Sequence, residues 1–188
     1  MENDSIKLTP VERQSFINQF RILQQLADDE YVKKDYERKI EALSSGYELH
    51  YQDVLEDVQE NTLTAEQCRE ILDILEMFRG IIYSFIALER EQKLTDLNRS
   101  QVRFAGFDGN NECEAMCYVK YFIKDLDRYS EIQEFAGPYF DYNSHFPMMS
   151  TYRDMLIKWN QYRQTLQNAY LMNEAQIKEL LKNYHPMF

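Results

Sequence analysis

The chain has 188 residues and a net charge of −11 at pH 7, with 44% hydrophobic residues, 28% charged residues, five Gly and four Pro. That length fits one domain, and few turn residues among many helix formers point to a mostly helical protein with a real core. The charge excludes a broad basic surface for phosphate backbones and disfavours anionic membranes.

The acidity is uneven: residues 1–60 hold 14 acidic and 7 basic side chains, while 148–188 hold 3 and 5. A small basic patch near the C-terminus has room to exist, but a solvated acidic surface is the favoured reading. Three cysteines lack disulfide spacing, the start Met1-Glu2-Asn3-Asp4 is acidic, and no apolar run spans a bilayer. These read as a reduced, cytoplasmic protein.

Residues 1–8 read as a flexible tail. Thr9-Pro10-Val11-Glu12 is a capping box with Pro at the first helical position, where its missing N–H costs nothing. Phe16, Ile17, Phe20, Leu23 and Leu26 carry that helix to about 27. Asp28-Asp29-Glu30 opens a second helix with an apolar face of Tyr36, Ile40 and Leu43, and Ser44-Ser45-Gly46 ends it. A short third helix is predicted over 48–58, with Leu49, Val54, Leu55 and Val58, before the turn Asn61-Thr62-Leu63.

Thr64-Ala65-Glu66-Gln67 is a second capping box and starts the helix on which the chain is organised, 64–92. Its apolar residues, from Ile71 to Leu88, cover well over half of the wheel, which predicts enclosure by other helices. Arg69, Asp73 and Glu76 share one narrow arc, continued by Gly80, Ser84 and Ala87. The first half predicts an ion-paired stripe, and the small residues predict a helix crossing near Gly80.

Residues 89–100 are polar and expected to be exposed. The loop 102–111 alternates aromatics with glycines and offers Asn110 or Asn111 as cap for a helix over 112–132. Residues 135–146 form an aromatic-rich loop, Pro147 starts another helix, and Asn173-Glu174-Ala175-Gln176 caps the last, 174–184. The expected assembly is all-α: one compact domain, 1–188, of about seven helices around the buried central one.

Several stretches together resemble the YfbU family. They are Asn18-Gln19-Phe20, Gly46-Tyr47, then Cys68-Arg69, Ile71, Asp73-Ile74, Glu76-Met77 and Ser84 on the central helix. Phe104, Gly106-Phe107-Asp108, Glu112 and Tyr118-Val119 follow. Arg128-Tyr129, Asn143, Pro147-Met148, Tyr152, Met155-Leu156 and Trp159 complete the set, which runs from about 13 to 180. No single piece is diagnostic; their order and spacing are. The resemblance implies an all-helical, bacterial, cytoplasmic protein of a family without a settled biochemical activity, so no catalytic residue is carried over. A longer, acidic N-terminus and Gly109-Asn110-Asn111 depart from the family's pattern without undermining the match.

Asp73 and Glu76 are spaced as paired carboxylate ligands, but no Glu-x-x-His accompanies them and His50, His145 and His185 are scattered. An ion pair with Arg69 is the favoured reading. Cys113 and Cys117 share a helix face; a zinc site needs two more ligands, and ordinary small helix residues are the favoured reading. No metal and no cofactor is expected.

The loop 106–112 looks most like a site, because it combines backbone freedom, polar tips and a following helix N-terminus. It lacks the Lys and Ser/Thr of a P-loop, and Cys113 stands where a calcium loop needs Gly. A structural turn with Phe104 and Phe107 in the core is favoured.

Aromatics make up 14% of the chain, numerous enough that some are expected to face a partner. The reading is a self-associating protein–protein interaction module, a dimer or higher homo-oligomer that also takes a protein partner. Its expected contact surface is Phe140, Tyr142, Phe146, Tyr152 and Trp159. The alternative is a hydrolase or small-ligand protein with a pocket built by Asp108, Asn110, Tyr118, Lys120, Arg69, Asp73 and Glu76. A nucleic-acid-linked regulator, stacking bases beside Arg128, Arg153, Lys158 and Arg163, comes third.

Overall fold

The structure, a computed structural model, describes residues 6–55, 62–166 and 168–185. The all-helical class is what it shows, with no strand among the described residues. The helices gather into two compact units, 1–60 and 61–188.

In the first unit, α1 (Pro10–Leu26) begins at the expected capping box: the Glu12 N–H donates to the Thr9 hydroxyl and the Thr9 N–H to the Glu12 carboxylate (2.8 Å). α2 (Glu30–Ser45) starts on Asp29, whose carboxylate accepts the Tyr31 and Val32 N–H groups, and stops at Gly46 in the left-handed region (φ 75°). The two helices pack together over Ile17, Phe20, Leu43 and Tyr51, with the Phe20 and Tyr36 rings stacked at 5.7 Å. Ile6 and Leu8 pack against this cluster, so they are not part of a free tail; residues 1–5 lie outside the described residues. The helix expected over 48–58 is instead two 3-10 turns, Glu48–His50 and Gln52–Leu55, as far as the described residues reach. Tyr47 and Leu49 are exposed while Tyr51 and Val54 pack, so the described residues offer no continuous apolar stripe to favour an α-helix; Val58 lies outside them.

The second unit is built on α3 (Ala65–Arg90), which starts at its capping box and buries Ile71, Ile74, Leu75, Met77, Phe78, Ile81, Ile82 and Phe85. α4 (Cys113–Lys120), α5 (Ser130–Ala136), α6 (Met149–Thr165) and α7 (Glu174–Leu180) surround it. The crossing expected at Gly80 is present: the indole of Trp159 on α6 lies over it, where a Cβ would stand 2.3 Å from the ring. Beside it, the buried Ser84 hydroxyl donates to the Gly80 carbonyl (2.7 Å) and accepts the Met172 N–H (3.0 Å).

The single helix expected over 112–132 is broken. After α4 the chain widens into a π turn, Tyr121–Asp125, closed by Leu126 N–H to the Tyr121 carbonyl (3.1 Å). Asp127 and Tyr129 then take positive φ (50° and 54°), and α5 starts afresh. The reversal carries Tyr129 back to α3. The last helix ends at Leu180, with Tyr184 buried in the turn beyond it.

Candidate functional site

Glu76 is the centre of one polar cluster. Its carboxylate accepts the hydroxyls of Tyr129 (3.0 Å) and Tyr170 and the Arg79 guanidinium (3.4 Å). Arg79 donates in turn to Glu131 on α5 (2.5 Å) and lies 3.9 Å over the Tyr129 ring. Burial opposes the charge on Arg79, but the carboxylates of Glu131 and Glu76 outweigh it and raise its pKa. Burial, then the Glu76 carboxylate, pushes Tyr129 up to about 12. A phenol held that high is a donor rather than a base, and the carboxylate facing it is already bonded on both oxygens. The cluster therefore ties α3, α5 and the segment before α7 together. Arg69 and Asp73 are not in it. Both are exposed and make no ion pair with each other, so the stripe expected from their spacing is not formed. Glu76 finds Arg79, one turn on, because Arg79 faces inward.

The 106–112 loop is a packing junction. Gly106 has φ 90°, and a Cβ there would stand 2.0 Å from the Tyr142 carbonyl oxygen. Phe107 N–H donates to that carbonyl (2.9 Å) and Ser144 N–H returns to Phe107 (3.1 Å). Asp108 is buried, and its carboxylate accepts the Asn110 N–H (3.1 Å) and the Asn111 amide. The Asn111 amide, with the Asn110 N–H, holds that carboxyl below its ordinary range. Neither Asn110 nor Asn111 caps α4. The residue before α4 is Glu112, and its side chain serves a different helix: it accepts the Met148 (2.9 Å) and Met149 (2.7 Å) N–H groups at the start of α6, and Asp108 N–H (3.1 Å). Tyr118, half-buried against Cys68, and Lys120, at the end of α4, complete the expected pocket set. Asp108 and Glu76 share no hydrogen-bond partner among the described residues.

The aromatic surface expected for contact is interior. Phe140, Tyr142, Tyr152 and Trp159 are buried, and Phe146 packs against the same core. Phe78, Phe104, Phe107 and Tyr152 meet edge-on or tilted with centroids 5.0–5.9 Å apart, and Tyr152 donates to the Gly106 carbonyl (2.9 Å). One aromatic core takes in these rings, while Tyr139 stays exposed.

The C-terminal basic residues are largely paired. Arg153 grips Glu70 through two bonds (2.7 and 2.8 Å), Lys158 meets Glu179, and Lys178 meets Asp96 and Glu174. Glu174 has the most occupied carboxylate of these: it accepts Thr95, Asp96 and Leu97 N–H groups (2.8–2.9 Å) and the Thr95 hydroxyl. Those amides, the Asp96 N–H first, hold its pKa well below the carboxylate range. A group depressed on folding adds stability above its unfolded pKa, near 4.5, and loses it as pH falls below that value. Glu174→Gln is expected to flatten the acid limb of the Tm-against-pH curve below about pH 4.5 and to speed amide exchange at Asp96 and Leu97.

A feature the sequence carries outright is the outer side of α1. At 100° per residue Val11, Gln14, Ser15, Asn18, Gln19, Ile22, Gln25 and Leu26 fall within one arc of about 140°. All eight are exposed and none is charged. Val11 is 79%, Ile22 58% and Leu26 72% exposed, while Ile17 and Phe20 face the unit's own core. Residues 13–26 hold two Arg and no acid, in a chain with 32 acidic residues. Among the described residues no helix is long and apolar enough to cross a membrane.

The family model of the YfbU domain matches residues 6–183. The UPF0304 protein MJECS11 of Methanocaldococcus jannaschii is 30% identical over 155 residues, which cover 81% of this chain and 87% of that protein. Capping boxes, central helix and 106–112 junction all lie inside the matched span, and the chain belongs to the YfbU family.

Proposed function

We propose that the chain is a self-associating protein-interaction module and that copies meet through the outer face of α1. The observation that carries this reading is the uncharged, partly aliphatic arc of α1, exposed on a helix whose other face packs into its unit's core. Two copies at −11 each repel. They approach with least repulsion where acid is missing, and 13–26 is such a stretch. Pairing about a two-fold axis sets the same apolar residues against each other, and their burial supplies the attraction. The pocket reading around Asp108 and Glu76 has less support, because both carboxylates are occupied by their own chain. The nucleic-acid reading has less support because Arg153, Lys158 and Lys178 are paired.

The test is mass in solution, by light scattering or native mass spectrometry, for the wild type and for I22S/L26S. Both positions are exposed, so the variant keeps its helical circular dichroism and Tm. Losing four aliphatic side chains from a dimer contact removes roughly 3 kcal/mol and weakens association about a hundredfold. A wild type that stays monomeric at tens of micromolar, or a variant that associates as tightly as the wild type, overturns the reading.

A further inference from the structure

Cys113 and Cys117 lie one turn apart on α4, both exposed, with their Sγ atoms 3.8 Å apart. A zinc ion with Zn–S bonds of about 2.3 Å in a tetrahedron places any two sulfurs about 3.8 Å apart. The two thiols therefore already span one edge of a thiolate tetrahedron, without a change of helix geometry. Two ligands hold half a structural site, and closed zinc sites take four. Among the described residues no third His, Cys, Asp or Glu joins the pair in a metal-holding group. Their exposure leaves room for the missing two ligands to come from outside the chain.

We propose that Cys113 and Cys117 are one half of a zinc site completed by a second copy of the chain, each copy giving two thiolates to a single tetrahedral ion on the two-fold axis between them. The ligand set is then four cysteine thiolates, a closed structural type, and neither copy completes it alone. In the binding step four S–H bonds break, four Zn–S bonds form, the ion loses its bound waters, and four protons pass to solvent; nothing is oxidised or reduced. Lys120, one turn beyond Cys117, eases the charge on that thiolate, and Glu114 opposes it. Each thiol must lose its proton to ligate the ion, so binding weakens as pH falls. The site is on α4 and is independent of the α1 face.

The experiment uses the full chain, purified under reduction without a metal-binding tag, stripped with chelator and titrated with zinc chloride. Native mass spectrometry and light scattering read the products for wild type, C113S, C117S and I22S/L26S. The expected result is one zinc per two chains with a matching doubling of mass, lost in either serine variant and kept in I22S/L26S. That last arm separates the two surfaces: if α1 plays no part in association, the zinc-dependent doubling still appears. Cobalt in place of zinc should give the intense visible absorption of a tetrahedral thiolate complex, again only with both cysteines present. Zinc bound one-to-one by a monomer, no zinc bound at micromolar concentration, or doubling that survives both serine variants overturns the proposal.

Discussion

Gly106→Ala is expected to destabilise the 61–188 unit by about 3–5 kcal/mol, the sum of overpacking and a left-handed backbone penalty. The methyl would stand 2.0 Å from the Tyr142 carbonyl oxygen and 2.3 Å from its carbon, which are backbone atoms rather than the tip of a side chain. At φ 90° no rotation within the allowed regions relieves the contact. Tyr142 cannot retreat freely either. Its carbonyl takes the Phe107 N–H, and its ring is buried against Phe140 at 4.7 Å. Moving it opens the Phe107–Asn143 bridge and draws Gly106 away from the Tyr152 hydroxyl. A loss of that size is a large part of an ordinary domain's stability. The midpoint of denaturant unfolding, with near-ultraviolet circular dichroism of the buried tyrosines, measures it. Gly109→Ala is the control. Its φ is ordinary and its nearest contact is the Asn143 side-chain amide at 3.0 Å, so it should cost under about 1 kcal/mol. Equal losses at both positions would contradict this account of the junction.

Why the junction was only half legible follows from the range of its interactions. The capping boxes at Thr9, Thr64 and Asn173 are written within four residues, and each forms as its sequence predicts. Gly46 and the apolar run of α3 are equally local signals. Glu112 and Glu174 obey no local rule, because the amides they hold lie 36 and 79 residues away in sequence. A Glu before a helix reads as that helix's own cap, and only the tertiary fold turns Glu112 toward α6. The aromatic region failed for a related reason. Composition reports how many rings there are, but whether Tyr142 and Trp159 face solvent depends on Gly106 and Gly80 opening slots for them. The π turn at Tyr121–Asp125 leaves no mark in a 3.6-residue pattern, so 112–132 reads as one helix. The uncharged arc of α1 was there to be read: it needs only the wheel and the charges.

These interactions have a consequence for function. Glu76, Asp108, Glu112 and Glu174 each accept two or more hydrogen bonds from their own chain. Such groups fix the packing of loops on helices. The uncharged arc of α1 and the thiols of α4, by contrast, are exposed on outer surfaces.

The contact between Gly80 and Trp159 gives the second large effect, and a sign reversal that isolates it. Alone, Gly80→Ala should lower stability by about 1–3 kcal/mol, even though alanine is better than glycine by about 1 kcal/mol inside a helix. The three nearest atoms to the new methyl, at 2.3, 2.8 and 3.2 Å, are all on the outer ring of the indole. Trp159 is 1% exposed and meets Tyr170 edge-on, so its ring has nowhere to swing. Trp159→Phe removes those outer atoms and should itself cost about 2 kcal/mol in lost burial. Its indole N–H has no partner among the described residues, so no hydrogen bond to them is lost with it. In the Trp159→Phe background the methyl added at position 80 occupies the space the indole leaves. There Gly80→Ala should stabilise by up to about 1 kcal/mol, the helix-propensity difference freed of its clash. The double-mutant cycle thus predicts a coupling of about 2–4 kcal/mol. Additive losses in that cycle, read from equilibrium unfolding of the four proteins, would show that α3 and α6 do not cross at this glycine.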